Sequence, residues 1–374
     1  MPNETPLLAP ARLPSLGLDL PNRLVMAPMT RNRAAADGTP TPLMATYYAQ
    51  RATAGLLIAE ASTPNAVGQT YPDIAAIHRP AHVAGWRQVT DAVHVAGGRM
   101  FLQIQHGGRV GHPDNSGHIP LAPSPIPLPD TVFTPKGHQK AVVPREMSVA
   151  DIRSTVADFA AAARNALEAG FAGVEVHAAN GYLLHQFLSS NTNRRHDQYG
   201  GTVTGRIRFV REVVAAVADA VGPERVGVRI SPYFTGNGMH ESDTETLYPA
   251  LVAALADRGL AYLHLVRADA GLPLFQQLRD AWPGTLIANP ALPRDAIPAD
   301  GGRAAGERLL TAGADLIALG RPILANPDLV DRLRRGAPMN PVRDRYLMYV
   351  GGATGYTDYP ALSPPAPGGF RRDS

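Results

Sequence analysis

The sequence predicts an α/β fold, a (β/α)8 TIM barrel with a loop excursion, or lid, after its third strand. Three observations predict it. Eight short apolar runs alternate with eight amphipathic stretches between residue 24 and about residue 335. The length of 374 residues suits one barrel domain. Polar side chains stand at the carboxyl ends of several of those runs, where barrel enzymes carry their chemistry. Eight strands alternating with eight helices argue for a closed barrel rather than an open sheet.

In chain order the expected strands are 24–29, 56–60, 100–105, 173–177, 226–230, 261–265, 285–288 and 316–319. The helical patterns between them lie around 41–54, 82–96, 149–169, 205–221, 244–258, 273–281, 303–312 and 327–335. Residues 107–147 break the rhythm, being rich in Pro, Gly and His with weak apolar periodicity. Following the third strand, this segment is expected to form a lid over the catalytic face. The stretch from Gly351 to Pro360 is too glycine-rich for a helix, and 363–374 is expected to be a flexible tail. Residues 1–374 are thus read as a single domain.

Composition excludes several chemistries. The chain has no cysteine, which rules out disulfides, thiolate metal sites, iron-sulfur clusters and a cysteine nucleophile. Its two lysines, Lys136 and Lys140, both lie in the excursion and on no expected strand, which disfavours Schiff-base catalysis. A net charge of +3 without a block of like charges gives no reason to expect nucleic-acid or membrane binding. No apolar run approaches the ~18 residues of a membrane span, and no basic-then-apolar signal pattern is present. A soluble, cytoplasmic protein, monomer or homodimer, is expected.

The candidate site starts from strand parity. Phe101, Gln103 and Gln105 share one face of their strand, Glu175 goes with His177, and Gly227 with Arg229. An amide, an imidazole and a guanidinium therefore meet near three strand ends. Each also has a structural reading: Gln103 as a satisfied core amide, His177 as a core histidine bonded to a carbonyl, Asn180 as a helix cap, Tyr182 as edge packing. Arg229 requires an anionic or strongly accepting partner, either Glu60 and Glu175 or a ligand. Gly320-Arg321, directly after the eighth strand, matches the place where many barrels bind phosphate.

These features, with Ala27-Pro-Met-Thr-Arg31, Thr41-Pro-Leu-Met44, Leu102-Gln-Ile-Gln-His-Gly-Gly-Arg109, the run from His177 to Gly201 and Gly355-Tyr-Thr-Asp-Tyr-Pro360, resemble the old yellow enzyme family from about Arg23 to Leu362. These are FMN-dependent ene-reductases, and the chain is most similar to the bacterial branch that includes N-ethylmaleimide reductase; Thr30, where other members carry cysteine, fits that branch. The resemblance implies that Pro28, Met29 and Thr30 line the flavin ring, with Ala61 packing near it. It implies that Gln103 satisfies the pyrimidine edge, that Arg229 faces N1, and that Gly320 and Arg321 hold the phosphate. Leu286-Ile-Ala-Asn-Pro-Ala-Leu292 stands where the family has a glycine-rich phosphate turn. Pro290 lacks an N–H, so Asn289 and Ala291 are the alternative donors. Gln105 replaces an aromatic residue common in the family.

The same resemblance implies that His177 and Asn180 donate hydrogen bonds to a substrate carbonyl or nitro oxygen while hydride passes from flavin N5 to the β-carbon. Tyr182 then protonates the α-carbon. Tyr356 is expected to border the substrate pocket. NADPH, or NADH, is the expected reductant in a ping-pong cycle, small activated alkenes the expected substrates, and no metal is expected. The alternatives are nitroester or nitroaromatic reduction by the same family, or a metal-dependent barrel hydrolase using His106, His177, His240 and His264, which lack compact ligand spacing.

Overall fold

The computed structural model of the chain describes residues 5–293 and 296–362, so the expected tail at 363–374 lies outside the described residues. Eight parallel strands close into a barrel: β1 (Leu24–Met26), β2 (Leu56–Ser62), β3 (Met100–Ile104), β4 (Gly173–Ala178), β5 (Val226–Ile230), β6 (Tyr262–Ala268), β7 (Thr285–Pro290) and β8 (Leu316–Leu319). Each pairs with its sequence neighbours, and closure comes from β8 registering Ile317, Ala318 and Leu319 on Leu24, Val25 and Met26 of β1. All eight expected strands are present, with ends shifted by up to three residues. The first stops at Met26, and Pro28 just beyond it has no N–H to extend a ladder.

The helices are α1 (Pro42–Ala49), α2 (Pro80–Val95), α3 (Val149–Glu168), α4 (Val203–Val221), α5 (Thr244–Ala253), α6 (Pro273–Ala281), α7 (Arg303–Thr311) and α8 (Leu329–Arg335). Their starts follow local chemistry. Ser148 and Asp151 form a reciprocal capping box at α3, and the Thr202 hydroxyl accepts from Gly205 N–H at α4. The first helix is shorter than expected, ending at Ala49, and the Arg51 side chain just beyond it is buried in the core. Arg51 there donates to the carbonyls of Ile323 and Leu324 at 3.1 and 2.6 Å, capping the short helix Arg321–Ala325 that follows β8.

The barrel interior is layered. In the lower layer the rings of Phe101 and Tyr262 meet at 5.5 Å. Glycine stands beside them on the neighbouring strands because nothing larger fits. A Cβ on Gly173 would lie 2.4 Å from the Phe101 ring, and one on Gly227 would lie 2.1 Å from that of Tyr262. A hairpin of Ala11–Leu13 and Leu18–Leu20 seals this end, with Leu13 and Leu20 packed in the same cluster as Phe101 and Tyr262. The layer above is polar, holding Gln103, Glu175, Arg229 and His264, and there the barrel's packing ends and its site begins.

The excursion is more structured than a bare lid. Within it Thr131–Thr134 and Gly137–Lys140 form an antiparallel hairpin, and Leu121–Ala122 pairs with Arg145–Glu146. Lys140 therefore does lie on a strand, though on this hairpin and not on the barrel. The base of the excursion is pinned to the rest of the barrel by two arginines, one outside it and one within it. Arg195 donates to the carbonyls of Pro123 and Met147, and Arg109 to those of Asn237 and Gly238. Among the described residues no helix is long and apolar enough to cross a membrane.

Candidate active site

A cavity of about 740 Å³ opens at the carboxyl ends of the barrel strands. Its walls include Pro28, Met29 and Thr30 from the turn after β1, Gln103 and Gln105 from β3, His177, Asn180 and Tyr182 from β4 and its loop, and Arg229 from β5. Eight of the expected site residues are thus brought together by one concavity. Parity accounts for the meeting: register sets Glu175 beside Gln103 and His177 beside Arg229, all facing inward.

Hydrogen bonds order this layer. Gln103 Nε2 donates to Glu175 Oε1 at 2.7 Å and to His177 Nδ1 at 3.2 Å, while His264 Nδ1 meets Glu175 Oε2 at 2.8 Å. Burial works to raise the Glu175 pKa, but His264, Arg229 and Gln103 outweigh it and hold the carboxyl below its usual value. Burial, reinforced by Arg229, His264 and His185, holds the His177 pKa well below the usual value, so its imidazole is neutral near pH 7. Gln103 is therefore both the satisfied core amide and a cavity wall. His177 is bonded to that amide rather than to a backbone carbonyl.

Arg229 is not neutralised by Glu60. That carboxylate lies elsewhere, accepting from Arg31 N–H at 3.1 Å and from the Tyr48 hydroxyl at 3.2 Å. Arg229 Nη2 donates to Asn289 Oδ1 at 3.1 Å, its Nε has no protein partner, and Glu175 acts on it only as a nearby charge. A buried guanidinium on the cavity wall with a donor unused by the protein calls for an electron-rich ligand edge. An isoalloxazine ring, with acceptors at N1 and O2 and a pyrimidine N–H, fits this set. Gln103, its amino group spent on Glu175 and His177, has its carbonyl left to accept.

The loop after β4 is held in a demanding conformation. Asn180 has φ 58° and Gly181 φ 77°. Asn180 N–H donates to Ser231 Oγ at 2.8 Å, Asn237 donates to the Asn180 carbonyl at 2.8 Å, and Gly181 N–H donates to His185 Nδ1 at 2.9 Å. A Cβ on Gly181 would lie 2.7 Å from that of Asn237. Asn180 is not a helix cap: the helix Leu183–Leu188 begins after Tyr182 without a side-chain cap, and Asn180 Oδ1 has no protein partner. Tyr182 stands over the cavity with its ring 5.5 Å from that of His177 and its hydroxyl 3.4 Å from that of Tyr71. Burial, and then Tyr71, raise its pKa well above 10.

The phosphate end gathers where β7 and β8 finish. Asn289 spends its side chain inside the protein, accepting from Arg229 and donating to the Ala318 carbonyl at 2.9 Å, so its amide positions Arg229. Arg321 reaches across to the Pro293 carbonyl, which brings it over the turn that follows Asn289. Gly320 sits against Met29, whose sulfur would lie 3.3 Å from a Cβ there. Ala61 is buried on β2.

Tyr356 does not line the cavity. It is fully buried, stacked on Tyr47 at 4.0 Å, with the guanidiniums of Arg31 and Arg33 over its ring at 4.8 and 4.9 Å. Those arginines explain the difference. Arg31 donates to the carbonyls of Met348 and Gly355, and Arg33 to those of Leu347, Met348 and Val350. They fold the C-terminal segment so that Tyr346, Tyr349 and Val350 reach the cavity instead. Sequence reasoning also missed Asn32, Tyr71, Phe133 and His138 on its walls. Phe133, the one Phe, Tyr or Trp in the 107–147 excursion, was the available signal; His138, one of three histidines there, carried none. The histidines of the metal-dependent alternative are not gathered. Among the described residues no three His, Cys, Asp or Glu side chains are placed to hold a metal.

Residues 7–340 match the model of the NADH:flavin oxidoreductase / NADH oxidase family. A probable flavin mononucleotide-dependent alkene reductase of Leishmania infantum is 40% identical over 356 residues, covering 92% of this chain and 95% of the relative. 12-Oxophytodienoate reductase 2 of Arabidopsis thaliana is 37% identical, covering 96% of each. Among solved structures, morphinone reductase in complex with tetrahydroNAD superimposes with a TM-score of 0.88 at 42% identity, over 96% of this chain and 98% of that one. The old yellow enzyme homologue from Zymomonas mobilis gives 0.89 at 36% identity, over 95% and 99%. With a closed barrel, a cavity walled by the expected residues and this likeness along nearly its whole length, the chain belongs to the NADH:flavin oxidoreductase / NADH oxidase family, the old yellow enzymes.

Proposed function

We propose that the protein is an FMN-dependent ene-reductase that oxidises NAD(P)H and saturates small α,β-unsaturated carbonyl or nitro compounds. The observation that carries this reading is the juxtaposition, in one cavity, of the under-used Arg229 cation with the neutral His177, Asn180 and the high-pKa Tyr182. When bound in the site walled by Arg229, Gln103 and Thr30, FMN would supply the hydride chemistry, with NAD(P)H as the reductant.

The chain's own residues do the rest. Arg229 and Gln103 hold the polar edge of the ring, Asn289 orients Arg229, and Gly320 with Arg321 holds the phosphate end. Pro28, Met29 and Thr30 line the ring, with Ala61 behind. His177 and Asn180 donate to the substrate oxygen, on which charge builds as the β-carbon is reduced; each such donor is worth roughly 2.7–4 kcal/mol in the transition state. Tyr182 keeps its proton at neutral pH and gives it to the α-carbon. Phe133, His138 and Tyr349 add rings to the cavity wall that the substrate would meet. We place the enzyme in the cytoplasm, where NAD(P)H is supplied.

The test is an anaerobic titration of the purified holoenzyme. NAD(P)H should bleach the flavin band, and a cyclic enone should restore it with one saturated ketone formed per flavin. A reduced protein that neither cyclic enones nor nitroalkenes reoxidise contradicts the proposal.

A further inference from the structure

The polar layer under the cavity contains two side chains that are not part of the cavity wall. Glu175 and His264 are both fully buried, and Glu175 is the hub. One of its oxygens accepts from Gln103 at 2.7 Å and the other from His264 at 2.8 Å. An ionised carboxylate can only accept, so Gln103 must present its amino group to it. The second hydrogen of that amino group points to His177 Nδ1 at 3.2 Å, which must then be bare. In a neutral imidazole the proton is then left on Nε2.

We infer that Glu175 is a positioning residue whose fixed acceptor character, passed through Gln103, locks His177 in the Nε2–H tautomer, the one that can donate to a substrate oxygen. The opposite polarity is self-consistent and shows what is at stake. Were position 175 a donor, the Gln103 amide would turn over, its carbonyl would accept from both 175 and His177 Nδ1–H, and Nε2 would become an acceptor. The same turn would swap the group Gln103 offers to the pyrimidine edge. One carboxylate thus sets the hydrogen-bond polarity on the substrate side and the cofactor side together. His264 supports it by occupying the other oxygen. The significance for catalysis rests on the proposed function, while the tautomer itself does not.

The experiment is a two-bond 15N–1H correlation spectrum of 15N-histidine-labelled holoenzyme, with His177 assigned by its absence in His177→Gln. The expected wild-type pattern has a pyrrole-type Nε2 and a pyridine-type Nδ1. Glu175→Gln should shift His177 toward the Nδ1–H pattern or a mixture of the two, because an amide at 175 can donate to Gln103. If that variant does not fold, Gln103→Met, which removes the coupling amide, should release the same lock. An Nδ1–H wild type overturns the inference, as does an unchanged Nε2–H pattern in the variant. Failure of enone turnover would overturn the proposed function without altering either spectrum.

Discussion

The hydroxyl of Tyr71 lies 3.4 Å from that of Tyr182, linking the loop after β2 to the proposed proton donor. Because Tyr71 raises the Tyr182 pKa, its hydroxyl acts as acceptor for the Tyr182 O–H, holding that proton in place and orienting the phenol that gives it up. Tyr71→Phe should therefore slow substrate-driven reoxidation of the flavin by roughly tenfold, the worth of one hydrogen bond. The same change should have little effect in a Tyr182→Phe background, which stopped-flow traces on the single and double variants will show.

The pH dependence follows from two shifts of opposite sign. Tyr182 has its pKa raised well above 10, so it keeps its proton as pH climbs. His177 has its pKa held well below the usual 6.5, so it stays neutral as pH falls. The oxidative half-reaction should accordingly be flat from roughly pH 6 to pH 9. Single-turnover rates across that range check this, and a titration near 6.5 that is lost in His177→Gln would refute it.

Glu60 makes stability, rather than rate, depend on pH. Its burial, opposed by Arg31 and Tyr48, lifts its pKa from 4.5 to about 7. Between these values the folded state holds a proton that the unfolded chain has released, so stability falls as pH rises through that window. At about 1.4 kcal/mol per pH unit, the whole window amounts to about 3 kcal/mol. Glu60→Gln should flatten denaturant-derived stability between pH 4.5 and 7 and should be relatively more stable at pH 8.

Tyr356 provides a test of where the C-terminal segment lies. Its hydroxyl is buried without a hydrogen-bond partner, a condition that costs about 1–3 kcal/mol. Tyr356→Phe keeps the stacking on Tyr47 and removes that cost, so Tm should be unchanged or higher and kcat/KM unaltered. A substrate-contacting residue would instead show a raised KM.

The barrel and the heart of its site were legible because both are written in short-range periodicity. Parity alone turns Gln103, Glu175, His177 and Arg229 inward, and eight alternating runs argue for the closed sheet. What parity cannot convey is which remote segment covers the opening. Tyr346 and Tyr349 arrive because Arg31 and Arg33, more than 300 residues earlier, bond to backbone carbonyls between 347 and 355, and a carbonyl has no sequence signature. Tyr356 was misplaced for the same reason. Phe133 and His138 depend on a hairpin closed at Pro135-Lys136 inside a segment whose composition suggested an irregular loop. Glu60 was a plausible partner for Arg229 until Tyr48 and the Arg31 N–H proved to occupy it.

The division of labour in the loop after β4 is tested most directly by stopped-flow analysis of Tyr182→Phe in both half-reactions. Flavin reduction by NAD(P)H should stay within about twofold of wild type, because the ring site and His177 are intact. Reoxidation by a cyclic enone should slow by roughly 10²–10⁴, the usual worth of a positioned general acid. Equal slowing of both halves, or no slowing of the second, would contradict the assignment of Tyr182 as the proton donor.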